Sequence, residues 1–212
     1  MAPEHSASIG ILGGTYNPPH LGHLAVARFA REQLGLERVA LTPAHTSPFK
    51  RAAADPGPEH RLRMCALLVA DEPGLSACAL EINRGGVSYT VDTLTAIHAS
   101  NPDAELTFIV GADTASTLPD WREPERVLSL AGLAVAAREG TSRTDVLARL
   151  RSIGSGAGSN GREPVLFLDM PVVDVSSSQA RERAAAGGPL APLVGVGVAA
   201  YITEHGLYGG GG

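Results

Sequence analysis

The sequence predicts an α/β fold, an open parallel sheet with helices on both faces. Apolar runs short enough to be buried strands alternate with stretches of helical apolar periodicity, the order a parallel sheet demands. The first run ends in a Gly13-Gly14 pair that leads through two prolines into a helix. At 212 residues, 44% apolar and 18% charged, the chain is sized for a single core. One domain is expected over residues 1–208, with 209–212 a disordered glycine tail.

Each element follows from its residues. Ile9 to Leu12 is a short apolar run that reads as a buried strand, and Gly13-Gly14 lets a ligand approach the backbone without Cβ obstruction. Pro18 and Pro19 exclude helix immediately afterwards, while Leu24, Ala27, Ala30 and Leu34 recur in helical register, so a helix starts near His20. His20 and His23, three apart in its first turn, lie on one face above unpaired N–H groups and the positive end of the helix dipole. That is an anion site with two extra donors, and Gly22 keeps the surface between them low. The same pieces also read as an ordinary turn, a solvated helix start or half of a metal site. The glycine spacing is not that of the dinucleotide-binding fingerprint.

Val39 to Leu41 reads as the second strand, and the loop after it holds Lys50, the chain's one lysine beside sixteen arginines. Glu59 to Ala70 is predicted helical, Ala77 to Ile82 a strand, Val91 to Ala99 a helix and Leu106 to Val110 a strand. Open sheets of this order collect ligands at the carboxyl ends of their strands, where Ser88-Tyr89-Thr90 and Gly111-Ala112-Asp113 fall. Asp113 reads equally as a ribose acceptor or as the N-cap of residues 114–118, and Ser88 to Thr90 as ligand contacts or a helix cap. Trp121 stands among polar residues, where an indole wants an aromatic partner or packs under its own loop.

Leu133 to Ala137 is a further strand, Thr144 to Ile153 a short helix and the Gly/Ser run at 154–161 a flexible surface loop. Val165 to Leu168 closes the set of strands. The helix Gln179 to Ala186 opens on Ser176-Ser177-Ser178, more hydroxyls than a cap needs, with Arg181 one turn on where its fork can reach an anion at the helix start. A last helix covers Val194 to His205.

Gly-Gly-Thr-Tyr-Asn-Pro-Pro-His-Leu-Gly-His-Leu at 13–24 resembles the His-x-Gly-His signature of the nucleotidyltransferase superfamily, and its flanks are most similar to bacterial nicotinate-nucleotide adenylyltransferase. The resemblance spans residues 9 to 208. It implies a Rossmann-like parallel sheet, ATP and nicotinate mononucleotide as small-molecule substrates, deamido-NAD and pyrophosphate as products, and Mg²⁺ held through the ATP phosphates with no protein metal ligands. By the same resemblance His20, His23, Lys50 and Arg181 are catalytic. Gly13, Gly14, Thr15, Ser177 and Ser178 join His20, His23 and Arg181 in holding ATP. Tyr16, Ser88, Tyr89, Thr90, Gly111, Asp113, Trp121 and Arg122 hold the second substrate, Trp121 by stacking on the nicotinate ring.

The chain departs from that pattern at Phe49, where the family carries a histidine that His45 would have to replace, and at Arg122, commonly tyrosine, whose guanidinium would favour an acidic ring substituent. Phosphopantetheine adenylyltransferases and cytidylyltransferases share the first motif but lack the Ser-Tyr-Thr and tryptophan-loop pair. A nucleotide-binding module without catalysis would have no use for His20, His23, Lys50 and Arg181 together.

Composition bounds the rest. A net charge of −5 argues against a general nucleic-acid binder. No basic stretch followed by an apolar core opens the sequence, and no apolar run reaches the ~18 residues of a membrane span, so a cytoplasmic location and no membrane partner are expected. Cys65 and Cys78 are too few for a disulfide framework. Self-association is left open by the sequence.

Overall fold

Ser8–Gly14 extends as β1 because Ile9 and Ile11 find apolar cover and are 3% and 1% exposed. A strand with apolar residues on consecutive positions is one covered on both faces. The computed structural model describes residues 6–48, 54–137, 142–153, 165–171 and 173–209. Within them β1 is followed by α1 (Leu21–Leu34), β2 (Arg38–Pro43), α2 (Pro58–Leu68), β3 (Leu75–Ala77), α3 (Leu80–Arg84), α4 (Thr90–Ser100) and β4 (Glu105–Gly111). Then come α5 (Ala112–Ala115), α6 (Pro124–Leu130), β5 (Gly132–Ala136), α7 (Arg143–Leu150), β6 (Val165–Leu168), α8 (Ser177–Ala185), α9 (Ala191–Val194) and α10 (Val196–Glu204). Short 3-10 turns cover Leu118–Asp120 and Arg151–Ile153.

In sheet order the strands read β3-β2-β1-β4-β5-β6. β1 pairs in parallel with β4, β4 with β5 and β5 with β6, so that Ile11 lies beside Phe108, Phe108 beside Leu133 and Leu133 beside Val165. The chain builds outward from β1 to β3, then returns to β4 on the other side of β1. Ligands in such sheets gather beyond the carboxyl ends of the strands where the order reverses. Gly13 and Gly111 stand at those ends of β1 and β4.

The fold divides into two compact units. The first comprises 1–13, 29–40 and 89–172, and its core joins Ile9, Ile11, Leu94, Phe108, Leu133 and Val135. Its α4 packs on α6. The second comprises 14–28, 41–88 and 173–212. There α10 packs on α2 and α9, and Met64, Cys65, Val194, Val198 and Ile202 are buried.

Two expectations are corrected. Residues 77–82 are not one strand: β3 ends at Ala77, Cys78 donates a last ladder-like bond to the Leu41 carbonyl at 2.8 Å, and the chain turns into α3. Leu80, Glu81 and Arg84 are good helix formers, and a short apolar run does not distinguish the two states. Asp113 is not an N-cap, because β4 runs directly into a helix whose cap is Gly111, leaving Asp113 in the first turn with an exposed side chain. The closing helix expected over Val194 to His205 is α10, separated from the short α9 before it at Gly195 with φ 83°, a value that only glycine adopts without strain. The Gly/Ser run at 154–161 and most of the glycine tail lie outside the described residues.

Candidate active site

The second unit gathers the histidine motif. Tyr16 takes φ 55°, the Asn17-Pro18 peptide is cis, and Pro18 and Pro19 are buried. Proline cannot donate within a helix, so α1 waits until Leu21. His20 is its N-cap by geometry: its carbonyl accepts from the N–H groups of His23 and Leu24 at 2.9 and 3.3 Å. The His20 N–H in turn donates to His23 Nδ1 at 3.1 Å. That is the return bond of a capping box, with His23 in the place that glutamate or glutamine usually takes.

A neutral imidazole whose Nδ1 accepts carries its proton on Nε2. His23 is thereby set as an Nε2 donor. The two imidazoles stack with centroids 3.7 Å apart, and the Tyr16 ring flanks His23 at 4.7 Å. Gly22 leaves the rings their room: a Cβ there would sit 3.0 Å from the His20 ring, which would have to give by a few tenths of an ångström. Tyr16 itself is 1% exposed, so its ring belongs to the core and offers no open face to a ligand. Burial holds its hydroxyl protonated, raised further by Cys65 and Glu81.

α8 explains the three serines. Ser176 forms the capping box alone, its Oγ accepting from Gln179 N at 3.2 Å while Gln179 Oε1 accepts from Ser176 N at 2.7 Å. Ser177 and Ser178 are then available for other bonds. Ser177 Oγ donates to the Pro18 carbonyl at 2.8 Å, and Arg181 donates from Nη1 to the Asn17 carbonyl at 2.6 Å and from Nη2 to Ser178 Oγ at 3.0 Å. Two helix N-termini, an arginine fork and two imidazoles thus belong to one unit. Unpaired first-turn N–H groups and cations favour an anion, and a polyanion most of all.

Arg61 is the residue that the sequence reading missed. It is 1% exposed, yet its guanidinium donates to the carbonyls of Thr15 at 2.8 Å, Ala44 at 2.6 Å and His45 at 2.8 Å, with Asp55 Oδ1 at 3.0 Å. It ties the Gly14-Thr15 turn to the end of β2. The trace in the sequence is its register: Arg61, Met64, Cys65 and Leu68 form the buried stripe of α2, where an arginine is out of place unless it is fully bonded.

The remaining candidates divide by unit. Ser88 is buried in the second, accepting from His45 N–H at 3.0 Å and donating its own N–H to Thr46 O at 2.9 Å. His45 Nδ1 lies 3.1 Å from the Gly86 carbonyl. Lys50 and Phe49 lie outside the described residues. In the first unit Tyr89 is the N-cap residue of α4 and Thr90 its first residue. Trp121 packs edge-on against Phe108, centroids 6.0 Å apart, and its indole N–H donates to Thr117 Oγ1 at 3.0 Å. Arg122 sits 5.0 Å over the Tyr89 ring, with Asp92 at 3.5 Å and Glu123 at 3.6 Å. Its charge is therefore shared between two carboxylates.

Among the described residues no three His, Cys, Asp or Glu side chains converge where a metal ion could sit, and no helix is long and apolar enough to cross a membrane. Cys65 is buried and its thiol is pushed well up by that burial, which leaves it without nucleophilic character.

The cytidylyltransferase-like family pattern matches residues 11–183. A probable nicotinate-nucleotide adenylyltransferase of Roseiflexus sp. is 40% identical over 96% of this chain and 98% of its own length. A counterpart of Symbiobacterium thermophilum is 39% identical over 95% of each. Among solved structures, Plasmodium falciparum nicotinic acid mononucleotide adenylyltransferase complexed with NaAD superposes with a TM-score of 0.75 at 16% identity, covering 95% of this chain and 97% of that one. The same enzyme complexed with APC gives 0.73.

Proposed function

This chain belongs to the nicotinate-nucleotide adenylyltransferase family, and we propose the residues through which it transfers the adenylyl group of ATP to nicotinate mononucleotide, releasing pyrophosphate and forming deamido-NAD for NAD biosynthesis. The phosphate of the mononucleotide is already an anion. Its oxygen forms the new bond to the α-phosphorus as the bond to pyrophosphate breaks, so no protein nucleophile is needed. What remains for the protein is alignment and the screening of charge.

His20 and His23 take the α-phosphate, His23 donating from Nε2. The first-turn N–H groups of Ser177 and Ser178, with Arg181, take the β and γ phosphates and draw charge onto the leaving pyrophosphate. Gly13, Gly14 and Thr15 offer backbone for the nucleotide to lie on. Mg²⁺ brought by the ATP phosphates would supply further neutralisation of their charge, beside the contacts that His20, His23 and Arg181 make to the same phosphates. Tyr89, Thr90, Gly111, Asp113 and Trp121 take the nicotinate and ribose. The backbone of the tryptophan loop, and not the half-exposed Arg122 with its two carboxylate neighbours, carries the preference for a ring carboxylate.

The observation that carries this reading is the His20 N–H to His23 Nδ1 bond, which aims a donor rather than a lone pair. Replacement of His23 by alanine tests it by pyrophosphate release. A loss of about 10²–10³ in kcat is expected, the usual effect of removing one transition-state donor, with only the modest fall in melting temperature, about 1 kcal/mol in stability, that losing a capping bond brings. Near wild-type turnover would overturn the assigned role.

A further inference from the structure

Asn17 is 4% exposed and stands three residues before His20. Its side-chain Oδ1 accepts from the Tyr208 hydroxyl at 2.7 Å, while its Nδ2 has no hydrogen-bond partner among the described residues. Its backbone carbonyl is the acceptor that holds Arg181 Nη1 at 2.6 Å, and the next carbonyl, of Pro18, accepts from Ser177. Tyr208 itself follows α10 in a left-handed conformation, φ 61°. Nothing in its exposure marks it as a ligand contact.

We propose that Tyr208 is a positioning residue for the nucleotide phosphates: by fixing the Asn17 amide it fixes the neighbouring carbonyl that aims the Arg181 guanidinium. The inference rests on Arg181 binding phosphate as proposed above. Arginine has five N–H donors in a rigid fork, of which Asn17 and Ser178 take two and leave three for phosphate oxygens. The direction of those three is set by the carbonyl that anchors the first. Without the Tyr208 hydroxyl the buried Asn17 amide has neither end bonded among the described residues, a state that costs enough to make the amide and its carbonyl shift. The long Arg181 side chain then regains rotamers that do not face the ligand. Burial keeps the Tyr208 hydroxyl protonated, reinforced by Asp55 and only partly offset by Arg181 and Arg61, so it remains a donor across any ordinary assay pH.

Steady-state kinetics of Tyr208→Phe, Arg181→Lys and the double variant, with ATP and nicotinate mononucleotide each varied, provide the test alongside thermal melting. Tyr208→Phe is expected to raise KM for ATP by about tenfold, the scale of one net hydrogen bond, with KM for the mononucleotide unchanged. The double variant should be no worse than Arg181→Lys, because the two residues act in series. Three results would overturn the proposal: an unchanged KM for ATP, an equal rise in both KM values, or losses that multiply in the double variant. A fall in melting temperature with unaltered kinetics would make the bond purely structural, again contradicting it. If Arg181→Lys alone leaves KM for ATP at the wild-type value, the phosphate role of Arg181 fails, and the Tyr208 inference falls with it.

Discussion

His23 accepts at Nδ1 from the backbone N–H of His20, 3.1 Å away, so the residue that caps α1 and the residue that closes the cap are the two histidines of one motif. One hydrogen bond thus serves helix initiation and sets a tautomer. Imidazole ¹⁵N spectra of the neutral protein should show His23 protonated at Nε2. An Nδ1-protonated His23 would contradict the geometry and remove the donor on which the mechanism depends.

The Arg61 network predicts a large stability difference between two bonded partners. Arg61→Met leaves the Thr15, Ala44 and His45 carbonyls without their donor in a buried place, and should destabilise by about 3–5 kcal/mol, lowering Tm on the order of 10 °C. Asp55 is a third exposed at 34%, and Asp55→Asn should cost no more than about 1 kcal/mol. Calorimetric melting of both variants decides it, and equal shifts would refute the carbonyl-anchoring role.

Alkaline titration follows from Tyr16 and Tyr208. Both hydroxyls are raised by burial above the ordinary phenol range near pH 10. Below that pH both states keep these protons and stability is independent of them. Above it the unfolded chain releases protons that the folded chain retains, so stability falls as pH rises. Part of the phenolate absorbance should therefore appear only with unfolding, and less of it in Tyr208→Phe. Full ionisation in the folded state would contradict the burial argument.

Arg122 is expected to be dispensable for substrate choice. Its guanidinium is half exposed, stacked on Tyr89 and shared by Asp92 and Glu123. Arg122→Gln should keep the ratio of kcat/KM for nicotinate mononucleotide over nicotinamide mononucleotide within about threefold, since exposed ion pairs contribute under about 1 kcal/mol. A tenfold fall in that ratio would return the specificity to the guanidinium.

Much of the site was legible because glycine and proline punctuate it. Gly13-Gly14 ends β1, Pro18-Pro19 delays α1, and three serines announce α8, each through local backbone chemistry. The division of labour among those serines was not legible, since it depends on carbonyls some 160 residues away at Asn17 and Pro18. Arg61 and Tyr208 escaped for the same reason: their partners lie on other elements, and a buried guanidinium or a half-buried phenol declares itself only once those partners arrive. The Ala77 to Ile82 stretch misled because six residues of mixed apolar and charged character fit either period.

Pyrophosphate release with nicotinate mononucleotide, nicotinamide mononucleotide and phosphopantetheine in parallel, each with ATP and Mg²⁺, decides whether this site makes deamido-NAD. Turnover with the first is expected to be at least tenfold faster than with the second, and none is expected with phosphopantetheine. Equal rates with the two mononucleotides, or release driven by phosphopantetheine, would contradict that function.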